Sequence, residues 1–255
     1  MAVDEAILEV AGRGDSPPTL RLYAWTPACL SLGYAQNAAD VDHAALAQAG
    51  WVLVRRPTGG RAVLHTDELT YSVIAPLKEP IVAGTILESY SRLSKALLAA
   101  LELLGLPARA DKEYLDPGQA KTNGPVCFEV PSNYEITVSG KKLIGSAQAR
   151  RLGGVLQHGS LPLYGDLTRI TRVLGYPDEA ARQQAAERLL EHATTAEATL
   201  GYPLEWESAA HAFARAFKNT FNIELVPGEL TPAEQQRTAE LSVEKYANPE
   251  WLMRL

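Results

Sequence analysis

Residues 127–160 read CFEVPSNYEITVSGKKLIGSAQARRLGGVLQHGS, and they predict the centre of the fold. After Cys127, residues 134–139 alternate between apolar and polar side chains, as a half-buried strand does. Ser139-Gly140 fits a tight turn, so Lys141–Ala147 is predicted as the returning strand of a hairpin. The hairpin would carry a lysine toward the cysteine loop. A thiol and an ammonium held close together form a candidate acyl-transfer site.

Composition limits the class of protein. The chain has 255 residues, 46% of them hydrophobic, which is enough for a full core in one or two domains. No apolar run has the length of a membrane-spanning helix, and the start lacks a signal-peptide pattern, so no membrane partner is expected. Two cysteines do not form a disulfide framework, which favours a cytoplasmic location.

Charge argues against a nucleic-acid partner, since 24 basic against 30 acidic residues give a net charge of −6. Basic residues nevertheless cluster in the middle of the chain. They predict a patch for an anionic ligand or an acidic partner, and the alternative is a solvated face. The cluster consists of Arg55, Arg56, Arg61, Lys141, Lys142, Arg150 and Arg151.

Hydrophobic periodicity predicts an α+β protein with a mainly antiparallel sheet flanked by helices. We expect a catalytic domain over residues 1–225 and a small helical C-terminal extension, 226–255, packed on it. Predicted strands cover 19–25, 30–33, 51–56, 61–64, 69–75, 134–139, 141–147, 154–163 and 222–225. Predicted helices cover 1–10, 42–48, 85–104, 179–192 and 206–220, and a last helix begins at Thr231. Residues 108–126 are predicted as a mobile loop over the site.

The glycine loop, Arg55–Arg61, follows a predicted strand and reads RRPTGGR. Paired glycines allow the backbone to approach a ligand closely, and the arginines supply fixed positive charge. The alternative is an ordinary turn.

Of the two cysteines, Cys127 lies in a loop near the lysine hairpin, and Cys29 fits a small buried hydrophobic residue better. Adjacent strand residues point to opposite faces, so only one of Lys141 and Lys142 can face the site. Strict alternation puts Lys142 on one face with Ile144 and Ser146, which favours Lys142.

Two histidines, His65 and His158, are each followed by small residues. A cysteine–histidine pair would be conventional for thiol chemistry, but either ring could simply hold backbone structure by hydrogen bonds. Metal-ligand spacings, a P-loop and a dinucleotide fingerprint are absent from the sequence, so neither a metal nor a cofactor is expected.

Three motifs resemble the biotin/lipoate protein ligase family: RRPTGGRAVLH at 55–65, GKKLIGSAQ at 140–148 and LQHGS at 156–160. The resemblance extends over nearly the whole chain. Residues 126–132, VCFEVPS, are most similar to the cysteine-dependent octanoyl-[acyl carrier protein]:protein octanoyltransferases.

The resemblance implies a biotin/lipoate protein ligase-like catalytic domain and a reaction without a cofactor. Octanoyl-acyl carrier protein would be the donor, and a lysine of a lipoyl domain, typically the glycine-cleavage H protein, the acceptor. It also implies Cys127 as the acyl-thioester nucleophile and Lys142 as the residue that lowers its pKa. The implied substrate contacts are Arg56, Thr58, Gly59, Gly60, Arg61, His65, Gly145, Ser146, Ala147, His158 and Gly159.

The chain departs from the family pattern at three points. Arg61 replaces a third glycine of the ATP-using ligases, which favours the transferase branch, and Thr66 stands where those ligases tend to have an aspartate. The chain also begins inside the first helix, which predicts a different sheet edge or an upstream start. Alternative functions are an octanoyl amidotransferase between lipoyl-bearing proteins, an ATP-dependent lipoate-protein ligase, and a protein that binds acylated carrier without turnover.

Overall fold

A six-stranded antiparallel sheet forms the centre of the protein, in a computed structural model that describes residues 1–111, 126 and 135–254. Its strands are β1 (Thr19–Tyr23), β5 (Glu68–Pro76), β6 (Arg109–Asp111), β7 (Glu135–Val138), β8 (Lys141–Arg151) and β9 (Gly154–Pro162). They lie in the order β1-β5-β9-β8-β7-β6. Helices flank this sheet, so the predicted α+β fold is confirmed.

A three-stranded sheet lies beside it, with β2 (Cys29–Leu32) between β3 (Val52–Arg55) and β4 (Val63–His65). β2 and β3 run parallel, an exception to the otherwise antiparallel pairing of the named strands. The helices are α1 (Ala2–Arg13), α2 (His43–Gln48), α3 (Ile86–Leu103), α4 (Glu179–His192), α5 (Ala196–Leu200), α6 (Trp206–Phe221), α7 (Pro232–Leu241) and α8 (Pro249–Leu252). Among the helices described, none is long and apolar enough to cross a bilayer.

Strand alternation gives the large sheet two different faces. Tyr71 points to the face that packs against α3 and α6, with its ring centroid 6.1 Å from that of Phe213. The opposite face packs Ile74 and Leu156 against Ile7 and α1. The predicted capping box of α3, with Thr85 and Glu88, is present at its first turn.

The predicted hairpin between β7 and β8 is present, and Ser139 (φ 51°) with Gly140 (φ 77°) forms its tight turn. The predicted side-chain pattern of β8 is wrong. Ile144 pairs with Ile136, but Lys142 pairs with Thr137, so Leu143 is an extra residue in a β-bulge.

The bulge changes which residues share a face. Ile136 and Thr137 are adjacent on β7 and point to opposite faces. The residue paired with each of them on β8 points to the same face as its partner. Lys142 therefore lies on the face opposite Ile144 and Ser146, because one inserted residue reverses the alternation. Lys142 shares its face of the sheet with Gly145 instead.

Two further predictions concern irregular segments. The prediction of a strand at 222–225 is wrong. Asn222 adopts a left-handed conformation (φ 50°) that ends α6. Ile223 and Leu225 are half-buried, in a segment without strand pairing. The loop predicted at 108–126 contains the short strand β6 at its start, and 112–125 lie outside the described residues.

The C-terminal helices contact α1. Arg237 of α7 forms an ion pair with Glu9 (2.6 Å), and the Lys245 ammonium lies 2.7 Å from Glu5. The division into residues 1–225 and 226–255 stays a prediction.

Arg55 joins the C-terminal residues to the glycine loop. Its side chain is fully buried, and its guanidinium donates to the carbonyls of Gly33 (2.9 Å) and Gln36 (2.6 Å) on one side. On the other side it donates to the carbonyls of Leu252 and Arg254, each at 2.9 Å. A planar cation with five donors thus connects the carbonyls of residues 33–36 to those at the end of α8 and just after it.

Replacement of Arg55 should therefore destabilise the protein strongly. We expect Arg55→Met to lower the free energy of unfolding by roughly 3 kcal/mol or more, because several buried carbonyls lose their donors. Urea unfolding measures the change. The control is Arg182→Met, which removes a solvent-screened ion pair with Glu179 and should change the free energy of unfolding little. Equal effects of the two substitutions would contradict the role of Arg55.

Candidate active site

A cleft of about 50 Å³ lies between the two sheets. The sequence motifs meet there, although they are about a hundred residues apart in the chain. Its lining includes eight of the eleven predicted substrate-contacting residues: Arg56, Gly60, His65, Gly145, Ser146, Ala147, His158 and Gly159. The structure thus brings the glycine loop and the β8–β9 motifs into one site.

The register of the central strands determines which side chains point into the cleft. Gly145 pairs with Ser160 and Ala147 with His158, so these four residues share the face toward the three-stranded sheet. Ser146 points the other way, and its hydroxyl lies 2.7 Å from the Tyr71 hydroxyl on the helix side. Only main-chain atoms of Ser146 are therefore oriented toward the cleft.

His158 connects the glycine loop to α1. Its Nε2 lies 2.6 Å from the Thr58 hydroxyl, and its Nδ1 lies 3.9 Å from the Asp4 carboxylate. Burial lowers the pKa of His158 below its ordinary value, although Asp4 acts in the opposite direction. The ring is therefore neutral at neutral pH and orients Thr58.

Asp4 is fully buried, and it is not among the residues that the sequence analysis predicts for the site. Burial alone would raise the pKa of its carboxyl, but the nearby His158 ring and the Arg21 guanidinium hold the pKa well below its usual range. The Tyr23 hydroxyl donates to the same carboxylate at 2.9 Å. Asp4 is thus a permanent negative charge behind His158.

His65 lies in a second chain of polar groups. Its Nε2 is 2.8 Å from the Ser31 hydroxyl, and its Nδ1 is 2.7 Å from the Glu68 carboxylate. The Trp25 ring stacks on the imidazole, with centroids 4.4 Å apart and planes 20° from parallel. These contacts fix both the position and the plane of the ring.

The glycine loop is held from within by Arg56. Its guanidinium donates to the carbonyls of Gly59 (3.0 Å), Arg61 (2.6 Å) and Ser31 (2.9 Å). Gly60 has φ 92°, a conformation that favours glycine.

Close approach at this loop also involves Gly33, where a Cβ atom would lie 1.8 Å from the Gly60 carbonyl oxygen. The need for small residues here therefore arises at least partly from contact between two backbone segments. A Cβ at Gly59, by contrast, would meet open space.

The predicted basic patch is not a single surface. Arg55 and Arg56 are buried and donate to backbone carbonyls, and Lys142 is only 4% exposed. Arg151 forms an ion pair with Glu5, and Arg150 donates to the carbonyl of Val82. The sequence clusters these cations along the chain, but the fold directs most of them inward.

Lys142 and Lys141 have different environments. The Lys142 ammonium lies 2.7 Å from the Glu135 carboxylate, and both side chains are largely buried. The Lys141 ammonium donates to the Leu190 carbonyl at 2.5 Å from a half-exposed position. Lys142 is outside the cleft lining, three residues before Gly145 in the same strand.

Cys127 lies outside the described residues. Its neighbour Val126 is buried and pairs with Ala62, directly after the glycine loop. The other cysteine, Cys29, is buried in β2, and burial raises the pKa of its thiol to about 12. Cys29 is therefore an unreactive thiol at neutral pH, in agreement with its interpretation as a small buried residue.

Sequence reasoning missed Asp4, Ser31 and Glu68. A polar residue inside the apolar strand Cys29–Leu32 and an acid three residues after His65 were the available signals. Within residues 1–111, 126 and 135–254, no group of three His, Cys, Asp or Glu side chains could hold a metal ion.

The whole chain resembles known proteins of one kind. Residues 1–218 match the family described as the lipoyl protein ligase A/B catalytic domain. The chain belongs to this family. It is 44% identical to octanoyltransferase LipM of Kyrpidia tusciae over 98% of its length and 92% of that protein. It is also 45% identical to octanoyltransferase LipM of Moorella thermoacetica, over 100% of the chain and 93% of that protein.

Solved structures support the same family. A bipartite lipoate protein ligase from Thermoplasma acidophilum superposes with a TM-score of 0.80 at 28% identity, over 99% of this chain and 89% of that one. A lipoate-protein ligase A bound with ATP gives a TM-score of 0.79, also at 28% identity, over 99% and 92% of the two chains. The predicted family and enzyme class, an acyltransferase of the octanoyltransferase type, are confirmed.

The lowered pKa of His158 predicts a pH-dependent stability. The unfolded chain takes up a proton near pH 6.5, while the folded protein does so only at lower pH, so stability decreases as pH falls below 6.5. Within this window the slope approaches about 1.4 kcal/mol per pH unit. Chemical denaturation at pH 7, 6 and 5 should show a shallower decrease for His158→Gln, with the exposed His192→Gln as control. Identical slopes for wild type and His158→Gln would contradict the assignment.

Proposed function

We propose that this protein transfers an octanoyl group from acyl carrier protein to a lysine of a lipoyl domain, by way of a thioester on Cys127. The single observation that carries the proposal is the cleft, which joins the glycine loop to the β8–β9 motifs of an octanoyltransferase-like sequence. The glycine-cleavage H protein is the acceptor that the family resemblance favours.

The reaction has two steps. In the first step, the Cys127 thiolate attacks the octanoyl thioester, and the carrier thiol leaves. In the second step, the lysine amine of the acceptor attacks the acyl-enzyme, the C–N bond forms and the cysteine thiolate leaves. A thioester is already activated and an amide is more stable, so the transfer requires no ATP.

The chain provides groups for the charges of both steps. Backbone N–H groups of the glycine loop or of Ser146 would stabilise the oxyanion of each tetrahedral intermediate. Lys142, held by Glu135 on the cleft face of β8, would favour the thiolate form of Cys127. A reducing cytoplasm would keep that cysteine free for the reaction.

The lining of the cleft is better suited to an acyl chain than to a polar ligand. Gly145, Ala147 and Val63 contribute backbone or small apolar surface to its lining. The histidines in the same cleft already have polar partners in Thr58, Ser31 and Glu68. A hydrocarbon chain would therefore leave the hydrogen bonds of the histidine rings in place.

The acyl-enzyme can be detected directly. Incubation with octanoyl-acyl carrier protein in nucleotide-free buffer should add one octanoyl mass to the protein, which neutral hydroxylamine removes. Cys127→Ala should abolish the adduct and transfer, whereas Cys29→Ala should retain both because Cys29 is a buried, protonated thiol. Intact-mass spectrometry measures the adduct.

Other outcomes of this assay distinguish the alternatives. An adduct on Cys127→Ala would contradict the thioester mechanism. Efficient use of free octanoate with ATP would assign the protein to the ligases, and faster transfer from an octanoylated H protein than from acyl carrier protein would assign it to the amidotransferases.

The two lysines of the hairpin provide a matched comparison. Lys142→Ala should raise the pH at which Cys127 becomes reactive and slow acyl-enzyme formation, because a buried positive charge is lost. Lys141→Ala should change neither, since its ammonium contacts the Leu190 carbonyl. The rate of alkylation of Cys127 against pH measures the effect. Similar behaviour of the two variants in well-folded protein would contradict the role of Lys142.

A further inference from the structure

Ser31, His65 and Glu68 form a continuous hydrogen-bonded chain at the cleft. The distances are 2.8 Å from the Ser31 hydroxyl to Nε2 of His65 and 2.7 Å from Nδ1 to the Glu68 carboxylate. All three residues are less than 9% exposed, and both Ser31 and His65 contribute to the cleft lining. The arrangement has the geometry of a hydroxyl, an imidazole and an orienting acid.

The neighbouring groups determine which atom carries each proton. The Glu68 carboxylate accepts from the hydroxyls of Thr70 and Ser160, so it is an acceptor for Nδ1–H of His65 as well. Nε2 is then left as the acceptor for the Ser31 hydroxyl. The Ser31 oxygen in turn accepts from the Arg56 guanidinium at 3.1 Å. The imidazole therefore has a basic nitrogen directed at a hydroxyl in the cleft.

The second step of the proposed reaction requires such a base. The lysine of an acceptor protein is an ammonium at neutral pH and must lose protons to form an amide. The Lys142 ammonium is itself paired with Glu135. His158 directs its Nε2 to the Thr58 hydroxyl, which is not part of the cleft lining, whereas His65 directs its Nε2 to the Ser31 hydroxyl, which is.

We propose that His65, acting through the Ser31 hydroxyl, is the general base for the attacking amine, with Glu68 as its positioning residue. The inference rests on the proposed function. The acceptor lysine starts as an ammonium, and one of its N–H protons passes to the Ser31 oxygen while the Ser31 proton passes to Nε2. Glu68 stabilises the imidazolium, which then returns its proton to solvent. The neutral amine forms the C–N bond, the C–S bond breaks with its electron pair on the cysteine sulfur, and the thiolate takes up the second amine proton.

The titratable groups that face His65 or share its part of the cleft are Glu68 of β5, Cys29 of β2, Arg56 after β3, His158 of β9 and Met1 before α1.

The test compares two nucleophiles on the same acyl-enzyme. Full-length wild type, Glu68→Gln, Ser31→Ala and His65→Gln are loaded with octanoyl-acyl carrier protein, and decay of the adduct is followed by mass spectrometry. One nucleophile is a lipoyl domain, whose lysine needs a base. The other is hydroxylamine, whose nitrogen is unprotonated at neutral pH. Ser89→Ala, a buried serine on α3 away from the cleft, is the matched control.

We expect the three variants still to form the adduct, and the adduct, once formed, to react with hydroxylamine at the wild-type rate. Their transfer to the lipoyl domain should be slower by roughly 100-fold. It should recover as pH rises toward 9, because more of the amine is then neutral. The control should behave like wild type in both reactions.

Three results would overturn the inference. Unchanged transfer by the variants would exclude a base role, and equal losses with both nucleophiles would assign the chain of residues to structure alone. If the wild-type protein forms no adduct, the proposed function is overturned, and the base role of His65 with it. Where His65→Gln fails to load, the isosteric Glu68→Gln and the smaller Ser31→Ala decide between these outcomes.

Discussion

Side chains of the central strands alternate between the two faces of the large sheet, and this two-residue repeat determines how the layers of the protein pack. On one face, Tyr71 and its neighbours pack against α3 and α6. On the other, Ile74 and Leu156 pack against α1, whereas Thr70, His158 and Ser160 are buried polar residues on the part of the face beside the cleft. Buried polar groups require hydrogen-bond partners, so this part of the face cannot pack against an ordinary apolar layer. Glu68 on the same sheet supplies some of the partners, and Trp25 and Thr58 from other segments supply the rest.

Buried arginine side chains are a second feature, after the alternation of the strands, on which the fold depends. The buried guanidinium groups of Arg55 and Arg56 donate to backbone carbonyls in loops, in β2 and at the end of α8. The glycine loop, residues 33–36 and the C-terminal residues are fixed in this way. The loops around the cleft are therefore held by side chains from the ends of strands, which suits a site that must keep its geometry.

Local signals in the sequence predicted much of the fold. The Ser139-Gly140 turn and the Thr85 capping box depend on a few consecutive residues, and the structure contains both. The motifs also predicted most of the cleft lining. What could not be predicted involves distant partners: Arg55 contacts carbonyls 196 to 199 residues further along the chain. Likewise, Ser31 and Asp4 form their contacts with residues on other elements, so their importance appears only in three dimensions.

The bulge at Leu143 has a consequence for how a lysine can reach such a site. The hairpin tip and the rest of β8 are out of phase by one residue, so even-numbered Lys142 shares a face with odd-numbered Gly145 and Ala147. A single inserted codon is sufficient to produce this offset. A change in the length of a hairpin can therefore exchange a surface charge for a buried one without altering any residue type, and the geometry around the charge changes in one genetic step.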